Sequence, residues 1–359
     1  MIKSNSKFPF IINLAAFIII IAGLIYGAGL ITPVLMAVFL SIICTPPIRY
    51  LVRKRVPQSL AVLVVFLMLI AIFIGLGELV GQSLAAFTQN AGLYEQNLDQ
   101  IGASVFDFLN DSGFNFSFDK MDDLLEPSRI MGFTASLLSQ LGGFMGNFLT
   151  ILFLVLFLLL ELDDISIKVD AILKDYSVNY SYFDEIGNRI RHYLSIKTLT
   201  SLVTGILIWI ALSLIGVDYA ILWGLVAFLL NYIPTIGSFI AAFPAVLFAL
   251  VQLGFGGALA ALIAFVAVNL IIGSIVEPKL MGQGMGLSTA IVFLSLIFWG
   301  FVLGTVGMFL SVPLTMTVKI MLEHNPKTRW IAIILGTKKD AKALIEEDAK
   351  ALIEENESE

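Results

Sequence analysis

No side chain between Lys7 and Arg49 carries a formal charge, and a later stretch, Tyr219 to Val276, is uncharged over 58 residues. Runs of this length leave a soluble fold almost nothing to turn toward water. A hydrocarbon core roughly 30 Å thick, by contrast, needs about 20 apolar residues per helix. The runs therefore predict bilayer-spanning helices. Two fit between Lys7 and Arg49 with a turn near Gly29 to Pro33, and one over Val56 to Gly77, continuing past Glu78. One is centred on Phe148 to Leu160 within the run Ile130 to Leu160, and one covers Thr198 to Val217. Tyr219 to Val276 holds two or three, and Leu280 to Val318 one span or a span plus a re-entrant hairpin. The sum is eight to ten.

Composition agrees. Of the 359 residues 58% are hydrophobic and only 13% charged, with a mean hydropathy of +0.96. The fold class is all-α: a polytopic integral membrane protein of about eight transmembrane helices with broken or re-entrant segments. A net charge of −6 speaks against nucleic acid as a partner. The single Cys44 excludes an internal disulfide framework and a cysteine-ligated zinc site. With only His192 and His324, neither a histidine-rich metal cluster nor the HExxH motif is available. No Gly-Lys pair occurs, so the chain lacks a phosphate-binding loop of its own. No metal, cofactor or enzymatic reaction is expected.

Basic residues in short loops orient such a chain. Arg49, Arg53, Lys54 and Arg55 lie between the second and third spans and mark the cytoplasmic side, as do Lys3 and Lys7 at the N-terminus. Lys319, Lys327, Arg329, Lys338 and Lys339 follow the last span, which places the C-terminus inside too and requires an even number of spans. The segment 82–140 is acidic, with eight carboxylates from Glu95 to Glu126 against Lys120 and Arg129, and is expected outside as an amphipathic helical collar. Residues 161–197 read as a cytoplasmic helical connector. The tail, 338–359, contains the tandem octapeptide Asp340 to Glu347 and Asp348 to Glu355, which predicts an acidic amphipathic helix.

Candidate functional residues sit where proline and glycine interrupt the apolar runs, because a broken helix in the bilayer exposes carbonyls and helix ends that must line a cavity or bind something. Asn231-Tyr-Ile-Pro234-Thr235-Ile-Gly237-Ser238, followed by Pro244, offers an amide, two hydroxyls and a freed carbonyl. Its plain structural reading is a proline kink between short helices. A second group is Asn269 with Glu277-Pro278-Lys279-Leu-Met-Gly282, where Glu277 closes a long apolar run and could hold a cation or a proton. The plain reading there is loop charges near a helix end. Glu78 is the third intramembrane carboxylate candidate.

Three stretches resemble one family. Cys44-Thr-Pro-Pro-Ile-Arg49 through Val56-Pro57 is similar to its proline-basic segment after the second span, and Asn231 to Gly237 with Pro244 resembles its central helix break. The segment Glu277 to Gly282, then Gly286-Leu-Ser, Phe298-Trp-Gly300, Gly304, Gly307-Met and Val312-Pro313-Leu, is similar to its C-terminal signature. The family is the autoinducer-2 exporter (AI-2E) family, and the resemblance covers a transporter domain at about 8–322. It implies a multi-pass protein of the bacterial inner membrane, without ATP hydrolysis of its own. Some members are linked to export of autoinducer-2, a small polar quorum-sensing signal, and others resemble sodium (lithium)/proton antiporters.

Three functions follow as expectations. The first is an exporter of a small polar solute through the Asn231 to Ser238 break. The second is a monovalent cation/proton antiporter using Glu277 or Glu78. The third is a non-transporting membrane scaffold that works through its collar and tail. Self-association into a homo-oligomer is expected in each, because small residues let helices approach closely.

Overall fold

A computed structural model describes residues 7–90, 148–161, 181–281, 286–323 and 328–338, with scattered residues of 92–132 and residue 341. The described residues contain helices and no strand. They comprise α1 (Lys7–Tyr26), α2 (Ala28–Arg53), α3 (Gln58–Gln89), α4 (Phe148–Leu160), α5 (Ser181–Ile215), α6 (Ala220–Leu230) and α7 (Gly237–Val268). A π-helical stretch, Asn269–Val276, then leads into α8 (Glu277–Met281), followed by α9 (Thr289–Glu323) and α10 (Arg329–Leu335). Five helical stretches are long and apolar enough to cross a membrane: Ala28–Arg53, Gln58–Gln89, Ile186–Ile215, Gly237–Met281 and Thr289–Glu323. Large apolar side chains face outward along them, Ile74 at 63% exposure and Phe301 at 75% among them. A multi-pass membrane protein presents this surface to lipid.

Two compact units divide the chain. One holds 1–43, 161–195 and 281–359; the other holds 44–160 and 196–280.

Each unit contains a helix that doubles back. In the first, α9 is two helical arms joined at Gly304, whose φ of 68° and ψ of −150° only glycine adopts without strain. The arms on either side are antiparallel. Trp299 Nε1 donates to Thr315 Oγ1 across 2.9 Å, and a Cβ on Gly307 would lie 1.9 Å from the Trp299 carbonyl oxygen. In a straight helix Trp299 and Thr315 would stand roughly 24 Å apart. In the second unit α7 carries the same dihedrals at Gly254, φ 73° and ψ −166°. The sequence repeats with the geometry: Leu253-Gly254-x-x-Gly257 and Leu303-Gly304-x-x-Gly307. The Leu280 to Val318 run is thus a hairpin of two arms, and the Tyr219 to Val276 run combines a short α6 with a second hairpin.

Several boundaries differ from expectation for identifiable reasons. The α1–α2 turn falls at Gly27, ahead of Gly29 to Pro33, and Pro33, Pro46 and Pro47 lie inside α2. Inside a bilayer helix the missing proline N–H is compensated by local backbone adjustment, so these prolines do not end the helix. The helix expected within 161–197 does not stop there: α5 starts at Ser181 and runs unbroken through Lys197 to Ile215. Residues 162–180, most of the 82–140 collar and most of the 338–359 tail lie outside the described residues.

In the second unit an aromatic cluster gathers around Phe248. Phe87, Tyr94, Tyr219 and Trp223 place their rings 6.1, 5.0, 5.6 and 5.8 Å from it. Gln252, two residues before the α7 tip, clamps the α5–α6 loop. Its Nε2 donates to the Gly216 carbonyl at 3.1 Å, and its Oε1 accepts the Asp218 N–H at 2.8 Å. Tyr94 donates to Asp218 Oδ2 at 3.3 Å. Burial, followed by the bond to Tyr219 and the nearby Asp218 charge, pushes the Tyr94 phenol above its ordinary range and keeps it a donor.

Alanine at Gly304 or Gly254 is expected to cost about 1–3 kcal/mol each, whereas Gly256→Ala, whose Cβ meets nothing within 4 Å, should stay within about 0.5 kcal/mol. Thermal unfolding of the purified variants in one detergent measures the difference.

Candidate functional site

The polar interior of the second unit is organised by one row of α5 residues spaced four apart: Lys197, Ser201, Gly205, Trp209 and Ser213. Such a row forms a ridge winding slowly round the helix, and α6 packs antiparallel along it. At the middle the two backbones touch. A Cβ on Gly205 would fall 2.8 Å from the Gly224 carbonyl oxygen, and one on Gly224 would fall 2.7 Å from that of Gly205. Small residues at such a crossing are how membrane helices gain packing and close approach.

Where α6 ends, the chain breaks over 231–236 before α7 begins. Here the ridge turns polar. Asn231 Nδ2 donates to Ser201 Oγ at 3.0 Å, Ser238 Oγ donates to Asn231 Oδ1 at 3.4 Å, and Tyr232 Oη donates to Thr198 Oγ1 at 2.9 Å. Asn231 and Ser201 are buried, at 6% and 0% exposure. Gly237 is required by sterics: a Cβ there would sit 1.8 Å from the Leu230 carbonyl oxygen, so the reversal between α6 and α7 can close only over glycine.

One helical turn below Ser201 lies the charged part of the site. Lys197 Nζ donates to Glu277 Oε1 at 2.7 Å, and Thr200 Oγ1 donates to Glu277 Oε2 at 3.3 Å. Both side chains are largely buried, at 6% for Lys197 and 15% for Glu277. In so little water an unpaired ammonium or carboxylate would carry a heavy desolvation cost, and the two offset each other. The π-helical stretch immediately precedes Glu277. Such stretches widen the helix and recur at functional positions.

The sequence-predicted residues thus separate. Asn231 and Ser238 come together at Ser201, through the turn that Gly237 and the buried Pro234 form, and Glu277 meets Lys197 one helical turn away. Thr235 is exposed and donates only to the Pro234 carbonyl, at 2.7 Å, from a left-handed φ of 60°. Asn269 makes no hydrogen bond to this group among the described residues; its Oδ1 lies over Gly273, where a Cβ would be 2.9 Å away. Pro278 is exposed in the first turn of α8, and Gly282 lies outside the described residues. Glu78 is elsewhere, exposed on α3 and accepting a bond from Gln82 Nε2 at 3.0 Å. The residues that sequence reasoning missed are Lys197, Thr198, Thr200 and Ser201. Their signal was present in the run Lys-Thr-Leu-Thr-Ser at the head of an apolar stretch, hidden because Lys197 read as a loop end.

The C-terminal signature resolves into structural parts in the first unit. Gly286 takes a left-handed φ of 57°, Ser288 Oγ caps α9 by accepting the Ile291 N–H at 3.3 Å, and Trp299 to Met308 form the hairpin tip.

A family model described as AI-2E family transporter matches residues 14–327. The chain belongs to the AI-2E transporter family. It is 39% identical over 338 residues, 92% of this chain and 97% of the relative, to a candidate transport protein of Haemophilus influenzae. To the AI-2 transport protein TqsA of Escherichia coli strain K12 it is 37% identical over 325 residues, covering 90% and 94% of the two chains. YhhT of the same strain, also a candidate transport protein, is 33% identical over 332 residues, covering 91% and 93%. As an AI-2E family member the chain is a multi-pass membrane protein with a role in transport.

Removing one member of the buried pair should cost more than removing both. Lys197→Met or Glu277→Leu alone is expected to lose about 3 kcal/mol, because the partner charge is stranded, and the Lys197→Met/Glu277→Leu double variant should recover most of it. Detergent-solubilised thermal unfolding of the four proteins closes the cycle.

Proposed function

We propose that this chain carries a small, uncharged polar solute outward across the bacterial inner membrane without hydrolysing ATP. The supporting observation is the hydrogen-bonded group Asn231, Ser201 and Ser238 at the break between α6 and α7. It offers amide and hydroxyl donors and acceptors in an otherwise apolar unit, and neither needs to titrate. A solute rich in hydroxyls can exchange bonds with such groups one for one. The name of the relative TqsA makes autoinducer-2 the first solute to test.

A second reading, monovalent cation/proton antiport, is favoured by one observation, the buried Lys197–Glu277 pair. A cation that displaced Lys197 from Glu277 would have a carboxylate waiting. The pairing weighs against this as the main activity, since the carboxylate already holds a cationic partner and a hydroxyl donor.

Liposomes containing the purified protein separate the readings. On the first, efflux of labelled autoinducer-2 should exceed that from empty liposomes and fall at least tenfold in Asn231→Leu, while a sodium gradient leaves internal pH unchanged. Sodium-driven proton movement that is lost in Glu277→Gln, with no solute efflux, would establish the second and overturn the first.

A further inference from the structure

The ridge on α5 has a second polar station that the reading above does not use. Twelve residues from Ser201, roughly 18 Å along the helix, Ser213 and Trp209 form one wall of a cleft with a volume of about 490 Å³. The other walls are α3, through Glu78, Gln82 and Ser83, and the start of α6, through Tyr219. The Gly205–Gly224 backbone contact closes the ridge between this cleft and Asn231, so the two stations are separate.

The cleft is sized for a small molecule, and its lining has one sign. Glu78 supplies a carboxylate, and among the described residues no lysine, arginine or histidine lines the space. Among the described residues Glu78 has Gln82 as its hydrogen-bond partner and no basic one. Two aromatic residues line the same cleft. Trp209 is 41% exposed, and Tyr219 is fixed by contact with Phe248 and by bonds from Asn90 at 3.4 Å and with Tyr94 at 3.5 Å. Tyr219 does this from a left-handed φ of 56°, a strained backbone for a residue with a Cβ. An indole and a phenol lining one cleft with a carboxylate are the residue types that recognise an organic ammonium group, whose charge pairs with a carboxylate and is attracted to aromatic faces. Ser83, Ser213 and Gln82 supply neutral donors and acceptors around it.

Depth adds to the argument. Glu78 lies twenty residues, roughly 30 Å, beyond Gln58 on α3, about one hydrocarbon thickness from that end of the helix. A helix that enters the hydrocarbon at Gln58 and runs along the bilayer normal leaves it near Glu78, the level where aqueous solutes and lipid headgroups meet. We propose that the cleft between α3, α5 and the start of α6 binds a primary ammonium group through Glu78 and Trp209, borne by a free amine or by an ethanolamine lipid headgroup.

The test uses the purified full chain in nanodiscs of phosphatidylglycerol, titrated calorimetrically with ethanolamine, and in parallel native mass spectrometry after incorporation into mixed phosphatidylethanolamine/phosphatidylglycerol nanodiscs. Glu78→Gln keeps the side-chain shape and its bond to Gln82 while removing the charge, and elution as the same single species as the native chain confirms its fold. Saturable ethanolamine binding, weakened at least tenfold in Glu78→Gln and in Trp209→Leu, identifies the free amine as occupant. Selective retention of phosphatidylethanolamine that the same substitutions abolish, without binding of free ethanolamine, identifies the headgroup. Neither binding nor retention, equal behaviour of Glu78→Gln and the native chain, or equal displacement by sodium chloride at matched concentration would overturn the proposal. Because Asn231 and Glu277 play no part, solute efflux can fail while this site stands, and the reverse.

Discussion

Everything in this fold answers to the absence of water in the hydrocarbon core, where a backbone N–H or C=O without a partner costs several kcal/mol. Helices satisfy that demand internally, so the informative places are those where the helix stops. At the break after α6 the backbone closes a series of tight turns: Tyr232 N–H to the Leu229 carbonyl, Ile233 to Leu230, Ile236 to Pro234 and Gly237 to Ile233. The α5–α6 loop is held by both ends of the Gln252 amide. The reversals at Gly254 and Gly304 spend a single residue each. Among the described residues, the chain changes direction within apolar sequence only where glycine geometry or a dedicated amide takes over from the helix.

This explains which parts of the fold could be read from residues alone. Uncharged length is a direct measure of bilayer thickness, so the existence of spans over 28–53 and 58–89, and of an apolar helix over 148–160, followed from counting. Direction is another matter. A hairpin and a straight helix bury the same apolar residues, and only the Leu-Gly-x-x-Gly spacing at 253–257 and 303–307 distinguishes them. Proline misled for a related reason. In water Pro46-Pro47 signals a loop; in lipid the alternative to a strained helix is an exposed backbone, and the helix wins.

The candidate site was half visible for the same cause. Asn231, Ser238 and Glu277 stood out because polar atoms are conspicuous in apolar runs. Lys197 did not, because a basic residue near the end of an uncharged stretch is ordinarily an interface marker. Its burial is a property of the partner it meets, Glu277, eighty positions later in the chain. No local pattern carries that information. Thr198, Thr200 and Ser201 were overlooked with it, although their spacing sets hydroxyls on the face that α6 and the π-helical stretch come to share.

The energetics of the polar group bear on what kind of carrier this can be. Asn231, Ser201 and Ser238 satisfy one another in the folded chain, so an entering solute must break those bonds to make its own, and the net gain per exchange is only about 1 kcal/mol. A site of that design binds weakly and releases readily. That suits a carrier, which gains nothing from a solute it cannot let go. The Lys197–Glu277 pair works the other way: charge against charge in a dry setting holds one geometry firmly and costs more to open. Placed one turn from the neutral group on the same helix, it anchors the middle of α5 to the helix that follows the π-helical stretch while the hydroxyl and amide atoms above it remain exchangeable. Firm charge pairing at one level and replaceable neutral bonds at the next give a single helix two kinds of polar contact, one that fixes the unit and one that can be exchanged.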